Sequence, residues 1–113
     1  MKEQVVIEPR AERDIDEAAG WIAVPAADAA EHWFDAMQSA IQSLADFPQR
    51  CPRARECLSA RYVLRQLVFG RRRGRYRLIF TIHDGRVHVL HVRHGAKASM
   101  TKAEAAELLP PWG

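Results

Sequence analysis

The sequence predicts an α+β fold in which an N-terminal strand and a helical hairpin pack on a small, mainly antiparallel sheet, with a short C-terminal helix. Residues 75–95 alternate apolar and polar side chains around Asp84-Gly85, which is typical of a β-hairpin. Residues 10–23 and 26–46 repeat apolar side chains at helical spacing instead. A chain of 113 residues suits one core, so we expect a single domain over residues 1–113.

The predicted elements begin with a short strand over residues 4–8, which Pro9 ends. The helix over residues 10–23 carries acidic side chains near its start, where the helix dipole favours them. A short break separates it from the helix over residues 26–46, so the two helices are expected to form an antiparallel pair. One stripe on the second helix is expected to face the core: Ala30, Trp33, Phe34, Met37, Ala40, Ile41 and Leu44.

Three antiparallel strands are predicted in the second half of the chain, over residues 62–69, 76–82 and 87–92. A two-residue turn sets four cross-strand pairs: His83 with Arg86, Ile82 with Val87, Phe80 with Val89, and Leu78 with His91. Because side chains alternate along a strand, one face is expected to be apolar and to lie under the helices. The other face is mixed and is expected to carry Arg75, Arg77, His88 and His94. The pattern Thr101-x-x-Glu104 then predicts a capping box and a helix over residues 102–109.

The composition shows no feature of a membrane, secreted or metal-binding protein. No run of eighteen apolar residues is present, and the N-terminus is too charged for a signal peptide. The spacing of Cys51 and Cys57 matches no common zinc or redox motif, so we expect free thiols, no metal and no cofactor. A cytoplasmic protein with no membrane partner is therefore expected.

Charge is distributed unevenly along the chain. Residues 1–49 carry three basic and ten acidic side chains, whereas residues 50–97 carry thirteen basic and two acidic ones. A basic half of this kind is expected to bind phosphate or an acidic partner.

Four segments, taken in order, carry a resemblance to a known family. The opening IEPRAERDIDEAAGWI runs from a strand into an acidic helix, and a Leu-x-x-Phe-Pro segment at residues 44–48 ends the second helix. Arg65 lies in the next strand, before the YRLIF opening of the hairpin at residues 76–80 and its closing VLHVRHG at residues 89–95. Over residues 4–97, this order and spacing resemble the RelE/ParE family of toxins from bacterial type II toxin–antitoxin systems. The RHG ending is closer to the ParE branch.

The resemblance implies a cognate antitoxin protein as partner, whose C-terminal segment folds on binding to give a toxin–antitoxin hetero-oligomer. It also implies an essential target that differs between the branches. ParE-like members act on DNA gyrase and are not nucleases, whereas RelE-like members are ribosome-dependent, metal-independent mRNA endoribonucleases. A ParE-like toxin is our first hypothesis and an endoribonuclease is the alternative. A third hypothesis is a non-toxic nucleic-acid-binding module whose arginines contact only phosphate.

The resemblance also implies candidate site residues. If the chain is a nuclease, its catalytic candidates are Arg65, Arg77, His94 and Lys97, with Arg77 holding the phosphate. Five further arginines are expected to contact the target or its phosphates: Arg71, Arg72, Arg73, Arg75 and Arg93. The nuclease branch often has a functional tyrosine near its C-terminus, whereas the tyrosines here are Tyr62 and Tyr76. A mid-strand Arg77 that braces a carboxylate or a carbonyl is an equal alternative to one that contacts the target.

Overall fold

The computed structural model describes residues 2–23, 26–56, 62–70 and 74–109. Its helices and strands are β1 (Gln4–Ile7), α1 (Pro9–Ala23), α2 (Ala27–Ser43), β2 (Arg65–Phe69), β3 (Tyr76–His83), β4 (Arg86–His94) and α3 (Lys102–Glu107). The sheet has the order β1-β4-β3-β2, with β1 parallel to β4 and the other neighbours antiparallel. This arrangement confirms the predicted α+β fold, including the N-terminal strand, the helical hairpin and the short C-terminal helix.

Helix α2 ends earlier than the sequence predicts because the chain turns sharply before Pro48. Phe47 adopts a left-handed backbone conformation with φ of 51°, and a short 3-10 helix, Pro48–Arg50, follows it. The Arg50 guanidinium donates hydrogen bonds to the carbonyl oxygens of Ser43 and Asp46, at 3.2 and 2.8 Å. The Ser43 carbonyl also accepts from the Asp46 N–H at 3.2 Å, so Arg50 fixes the turn that follows the last residue of α2.

A β-bulge changes the predicted register of the hairpin. Near the turn the predicted pairing is confirmed, since His83 lies opposite Arg86 and Phe80 lies opposite Val89. Between Ile79 and Phe80 the register shifts, so Leu78 lies opposite Val92 and the predicted pairing with His91 is wrong. An extra residue in one strand moves every later side chain of that strand to the other face.

The bulge therefore reassigns the end of β4. His94 lies opposite Tyr76, and Arg93 lies opposite Arg77. Because directly opposed residues share a face, Arg93 joins Arg77 on the mixed face, and His94 lies with Tyr76 on the face under the helices. The expectation that His94 and Arg77 share one face is wrong for this reason.

Helices α1 and α2 cover one face of the sheet and form the main core with it. Its buried side chains are Ala11, Ile15, Trp33, Met37, Ile41, Leu44, Cys51, Phe69, Leu78, Phe80, Val87, Val89 and Val92. Within the predicted α2 stripe, Trp33, Met37, Ile41 and Leu44 are buried there, Ala30 and Ala40 are half-buried, and Phe34 is 39% exposed. Phe34 follows Trp33 directly and points roughly 100° away around the helix, so only one of the two faces the sheet. Within the described residues, no helix has the length and apolar character needed to cross a membrane.

A second, smaller core lies on the opposite face of the sheet, where α3 packs. It consists of Ala54, Leu64, Ile79, Leu90, Met100, Ala105 and Leu108. The predicted capping box is confirmed, because the Thr101 hydroxyl accepts from the Glu104 N–H at 3.2 Å and the Glu104 carboxylate accepts from the Thr101 N–H at 3.1 Å. A helix of six residues depends on such docking for its stability.

Candidate functional site

A cleft of about 490 Å³ opens beside β2, the start of β3 and the end of β4. Its walls are formed by Arg55, Gln66, Val68, Arg75, Arg77, His94, Gly95 and Ala96. Four of these residues are arginine or histidine, so the basic half of the sequence converges here. We call this the basic cleft.

Arg77 lies at the floor of the basic cleft, and its guanidinium is occupied by other side chains. The side chain is 4% exposed. Its Nη1 and Nη2 donate to the two carboxylate oxygens of Glu56 at 2.9 and 2.6 Å, and its Nε and Nη2 donate to the Gln66 side-chain oxygen at 2.9 and 2.8 Å. This paired geometry is the strongest form of an arginine–carboxylate contact. Direct contact between Arg77 and a target would require the network to open.

Glu56 is the acidic partner that makes a buried Arg77 acceptable. The pKa of Glu56 falls from 4.5 to about 2, chiefly through hydrogen bonds from Arg77, and the Met100 N–H, which donates to Glu56 at 3.0 Å, contributes to this fall. These contacts outweigh burial, which acts in the opposite direction. The carboxylate is therefore ionised at any physiological pH. Sequence reasoning did not identify Glu56, although it is one of only two acidic residues between positions 50 and 97.

Among the described residues that line the basic cleft, the exposed cations are Arg55 and Arg75. Arg75 is held through its backbone, because its carbonyl accepts from the Gly95 N–H at 2.7 Å. A Cβ atom at Gly95 would lie 2.9 Å from that carbonyl oxygen, so the close approach needs glycine. The RHG ending of β4 therefore shapes one rim of the basic cleft.

His94 stands at the boundary between the basic cleft and the helix-covered face. Its Nδ1 accepts a hydrogen bond from the Ala96 N–H at 3.0 Å, and its ring meets the edge of Tyr76 at a centroid distance of 5.0 Å. In the neutral form the proton therefore lies on Nε2. This atom is the one through which His94 can contact a ligand.

The other predicted site residues that the structure describes, Arg65, Arg93 and Lys97, do not line the basic cleft. Arg65 lies opposite Phe80, on the helix-covered face, and donates to the Cys51 carbonyl at 2.7 Å. Arg93 donates to the Ala98 carbonyl at 2.7 Å. Lys97 is exposed and lines a neighbouring cleft with His94 and Trp21. The predicted contacts at Arg71, Arg72 and Arg73 lie outside the described residues, as does the predicted free thiol of Cys57, whereas Cys51 has a buried, free thiol.

Two histidine–carboxylate pairs on β4 were not anticipated from the sequence. His91 Nδ1 lies 2.5 Å from the Asp14 carboxylate, which also accepts from the Val92 N–H at 3.1 Å. Burial alone would raise the pKa of Asp14, but these hydrogen bonds outweigh it and lower the pKa. His88 Nδ1 similarly lies 2.9 Å from Glu8. Both pairs join β4 to the β1–α1 region and are explained by that structural role.

A second surface with binding potential lies on the helical hairpin. A groove of about 410 Å³ runs between α1 and α2, with Ile15, Met37 and Ile41 at its base. Glu12 and Asp16 form an acidic rim on the α1 side. We call this the hairpin groove. Its apolar base and charged rim are suited to one face of an amphipathic helix.

The comparisons with known proteins give one result that bears on these surfaces. The family model described as "ParE toxin of type II toxin-antitoxin system, parDE" matches residues 5–98. The match includes every residue of the basic cleft and of the hairpin groove. A comparison with curated protein sequences finds no match.

Proposed function

Because the chain belongs to the ParE toxin family of type II toxin–antitoxin systems, we propose that it inhibits growth by binding DNA gyrase and that a cognate antitoxin neutralises it. Membership over residues 5–98 is the observation that carries this proposal. The family makes the chain the toxin component of such a system and gives it an antitoxin as partner. The gyrase target is the further step, and the surfaces described above support it.

The basic cleft is our proposed target-binding surface. Arg55 and Arg75 are exposed at its rim, and His94 presents Nε2 beside them. Such a surface attracts acidic protein segments and DNA phosphates, and a DNA-bound enzyme such as gyrase presents DNA phosphates. The backbone hydrogen bond between Gly95 and Arg75 fixes this rim, so little conformational entropy is lost there when a partner binds.

An endoribonuclease is the second candidate because Arg75 and His94 line the same cleft. His94 could transfer a proton through Nε2 while Arg75 holds the phosphate. The geometry favours binding over cleavage, since the Arg77 guanidinium is engaged by Glu56 and Gln66. The other cationic candidate, Lys97, lines the neighbouring cleft.

The hairpin groove is our proposed antitoxin-binding surface. Its base offers apolar contacts at Ile15 and Met37, and Phe34 stands partly exposed at its edge. An amphipathic antitoxin helix would bury its apolar side chains there and place basic side chains against Glu12 and Asp16. A toxin that binds its target through one face and its antitoxin through another can be neutralised by steric cover or by a shift in conformation.

Induction of the chain alone in a bacterial host tests the target. We expect filamentation and an SOS response, because a poisoned gyrase damages DNA. We also expect the double variant Arg55→Ala/Arg75→Ala to lose toxicity. Arg86→Ala is the matched control, because Arg86 is exposed at the hairpin turn, away from the basic cleft.

Other outcomes of the same experiment would overturn the gyrase proposal. A rapid stop in protein synthesis with cut messages would establish the nuclease. Normal growth together with salt-dependent nucleic-acid binding would establish the non-toxic binding module.

Co-expression with the neighbouring antitoxin gene tests the hairpin groove separately. Phe34→Ala is expected to preserve toxicity and to weaken rescue by the antitoxin. Trp21→Ala is the control, since Trp21 is 80% exposed and lines a different cleft. Equal rescue of the parent and Phe34→Ala would place the antitoxin elsewhere.

A further inference from the structure

We propose that Arg77 is a positioning residue, which acts through Glu56 to hold the C-terminal segment, residues 95–109, in place on the sheet. The term Arg77 clamp denotes Arg77, Glu56 and Gln66. The clamp joins β3, β2 and the loop after α2, because Arg77 donates hydrogen bonds of 2.6–2.9 Å to both Glu56 and Gln66. It gives Arg77 a role that does not involve contact with a target.

The clamp reaches the C-terminal segment through a backbone contact. Glu56 Oε2 accepts from the Met100 N–H at 3.0 Å, in addition to its bond with Arg77 Nη1. Two residues earlier, the Ala98 carbonyl accepts from Arg93 Nη2 at 2.7 Å. The Met100 side chain itself is buried in the second core. Residues 98–100 are therefore held by Arg93 of β4 and by Glu56 of the loop after α2, and Arg77 of β3 acts on them through Glu56.

The cross-strand pairing explains why these contacts occur together. Arg77 and Arg93 lie directly opposite each other on β3 and β4. Like charges in this position destabilise a sheet unless other groups compensate them. Glu56 compensates Arg77, and the Ala98 carbonyl accepts from Arg93. Both compensating contacts lead to residues 98–100, so the pairing of the two strands and the path of this segment depend on each other.

The C-terminal segment needs such an anchor because its own helix is short. α3 has six residues and contributes Ala105 to the second core, with Leu108 following it. Helices of this length are unstable without tertiary contacts. Gly95 and Ala96, which begin the segment, also form a wall of the basic cleft. Under the proposed function, loss of the clamp would therefore disturb target binding indirectly.

Amide hydrogen exchange of the isolated toxin tests the clamp without reference to any target. In Arg77→Met we expect residues 98–108 to exchange at least about tenfold faster, relative to the β3 and β4 amides, than in the parent. Arg75→Met, on the neighbouring exposed arginine, is expected to leave this ratio unchanged. A rise in exchange by the same factor in β3, β4 and the C-terminal segment would overturn the proposal, because the clamp would then contribute only to global stability.

A double variant keeps the test valid if Arg77→Met fails to fold. Arg77→Met/Glu56→Met removes both charges together and leaves no unpaired buried charge, so its global stability is expected to stay near that of the parent. The Met100 N–H still loses its acceptor, so selective exchange of residues 98–108 is again expected. Parent-like protection of the segment in this variant would overturn the proposal, whatever the toxicity assays show.

Discussion

The Glu56→Gln variant is expected to lose about 3 kcal/mol of unfolding free energy at neutral pH. In the folded protein the pKa of Glu56 falls from 4.5 to about 2, chiefly through its hydrogen bonds with Arg77. Each unit of that change corresponds to about 1.4 kcal/mol of preference for the charged carboxylate. The side chain is 2% exposed, so solvent screens the interaction little.

The pH dependence gives the sign of the effect. Because the pKa of Glu56 is lowered on folding, its stabilisation is complete above about pH 4.5 and is lost as pH falls toward 2. The advantage of the parent over Glu56→Gln is therefore expected to shrink as the pH is lowered through this range. Urea unfolding at neutral pH and near pH 3 measures it. Glu107→Gln, an exposed acid on α3, is the matched control.

One result would refute this reasoning directly. Glutamine keeps the size of glutamate, but it removes the charge and replaces one acceptor oxygen by an amide donor, so the variant separates these polar interactions from packing. An equal loss of stability at neutral pH and near pH 3 would mean that the carboxylate charge is not the source of the effect.

Three other substitutions have expected outcomes that unfolding or exchange measurements can check. Gly95→Ala is expected to lower the free energy of unfolding by about 1–3 kcal/mol, because the new Cβ would lie 2.9 Å from the Arg75 carbonyl oxygen. Thermal unfolding measures this loss, and Gly74→Ala, whose new Cβ has no atom within 4 Å, is the control. Leu78→Ala is expected to lower the free energy of unfolding in denaturant by about 2–5 kcal/mol, because Leu78 is fully buried in the main core. A loss below about 1 kcal/mol would contradict this expectation. Thr101→Ala is expected to cost about 1 kcal/mol through loss of the capping box and to speed amide exchange selectively in α3.

The elements of the fold were predictable because each is encoded by local patterns. Helical spacing, the Asp84-Gly85 turn and the Thr101 capping box are short-range signals, and the structure bears out all three. The β-bulge was not predictable, since no glycine or other marker accompanies the extra residue near Leu90. The misplacement of His94 followed from that single missed residue.

The basic cleft was only partly predictable because its geometry depends on contacts between distant segments. Arg75 and His94 were expected on the functional hairpin and do line the cleft. The partners of Arg77 come from elsewhere, with Glu56 21 positions and Gln66 11 positions away in the chain. The available signal was that Glu56 is one of two acids in a basic stretch, but the sequence does not indicate which of the many arginines is its partner.

Several of the basic side chains in residues 50–97 are engaged within the protein and are therefore not available to bind a partner. In the part of this stretch that the structure describes, four arginines donate hydrogen bonds within the protein: Arg50 and Arg65 to carbonyls of the segment after α2, Arg93 to Ala98, and Arg77 to Glu56. Arginine suits this role because its five donors can satisfy several acceptors of an irregular backbone at once. These four arginines therefore stabilise the two irregular segments, residues 44–56 and 95–100, that flank the basic cleft. Under the proposed function, we therefore expect substitution of Arg55 and Arg75, which are exposed at the described rim, to weaken target binding more than substitution of Arg50 or Arg65. Comparable losses of target affinity from exposed and internally bonded arginines, in variants of equal folded fraction, would contradict this division.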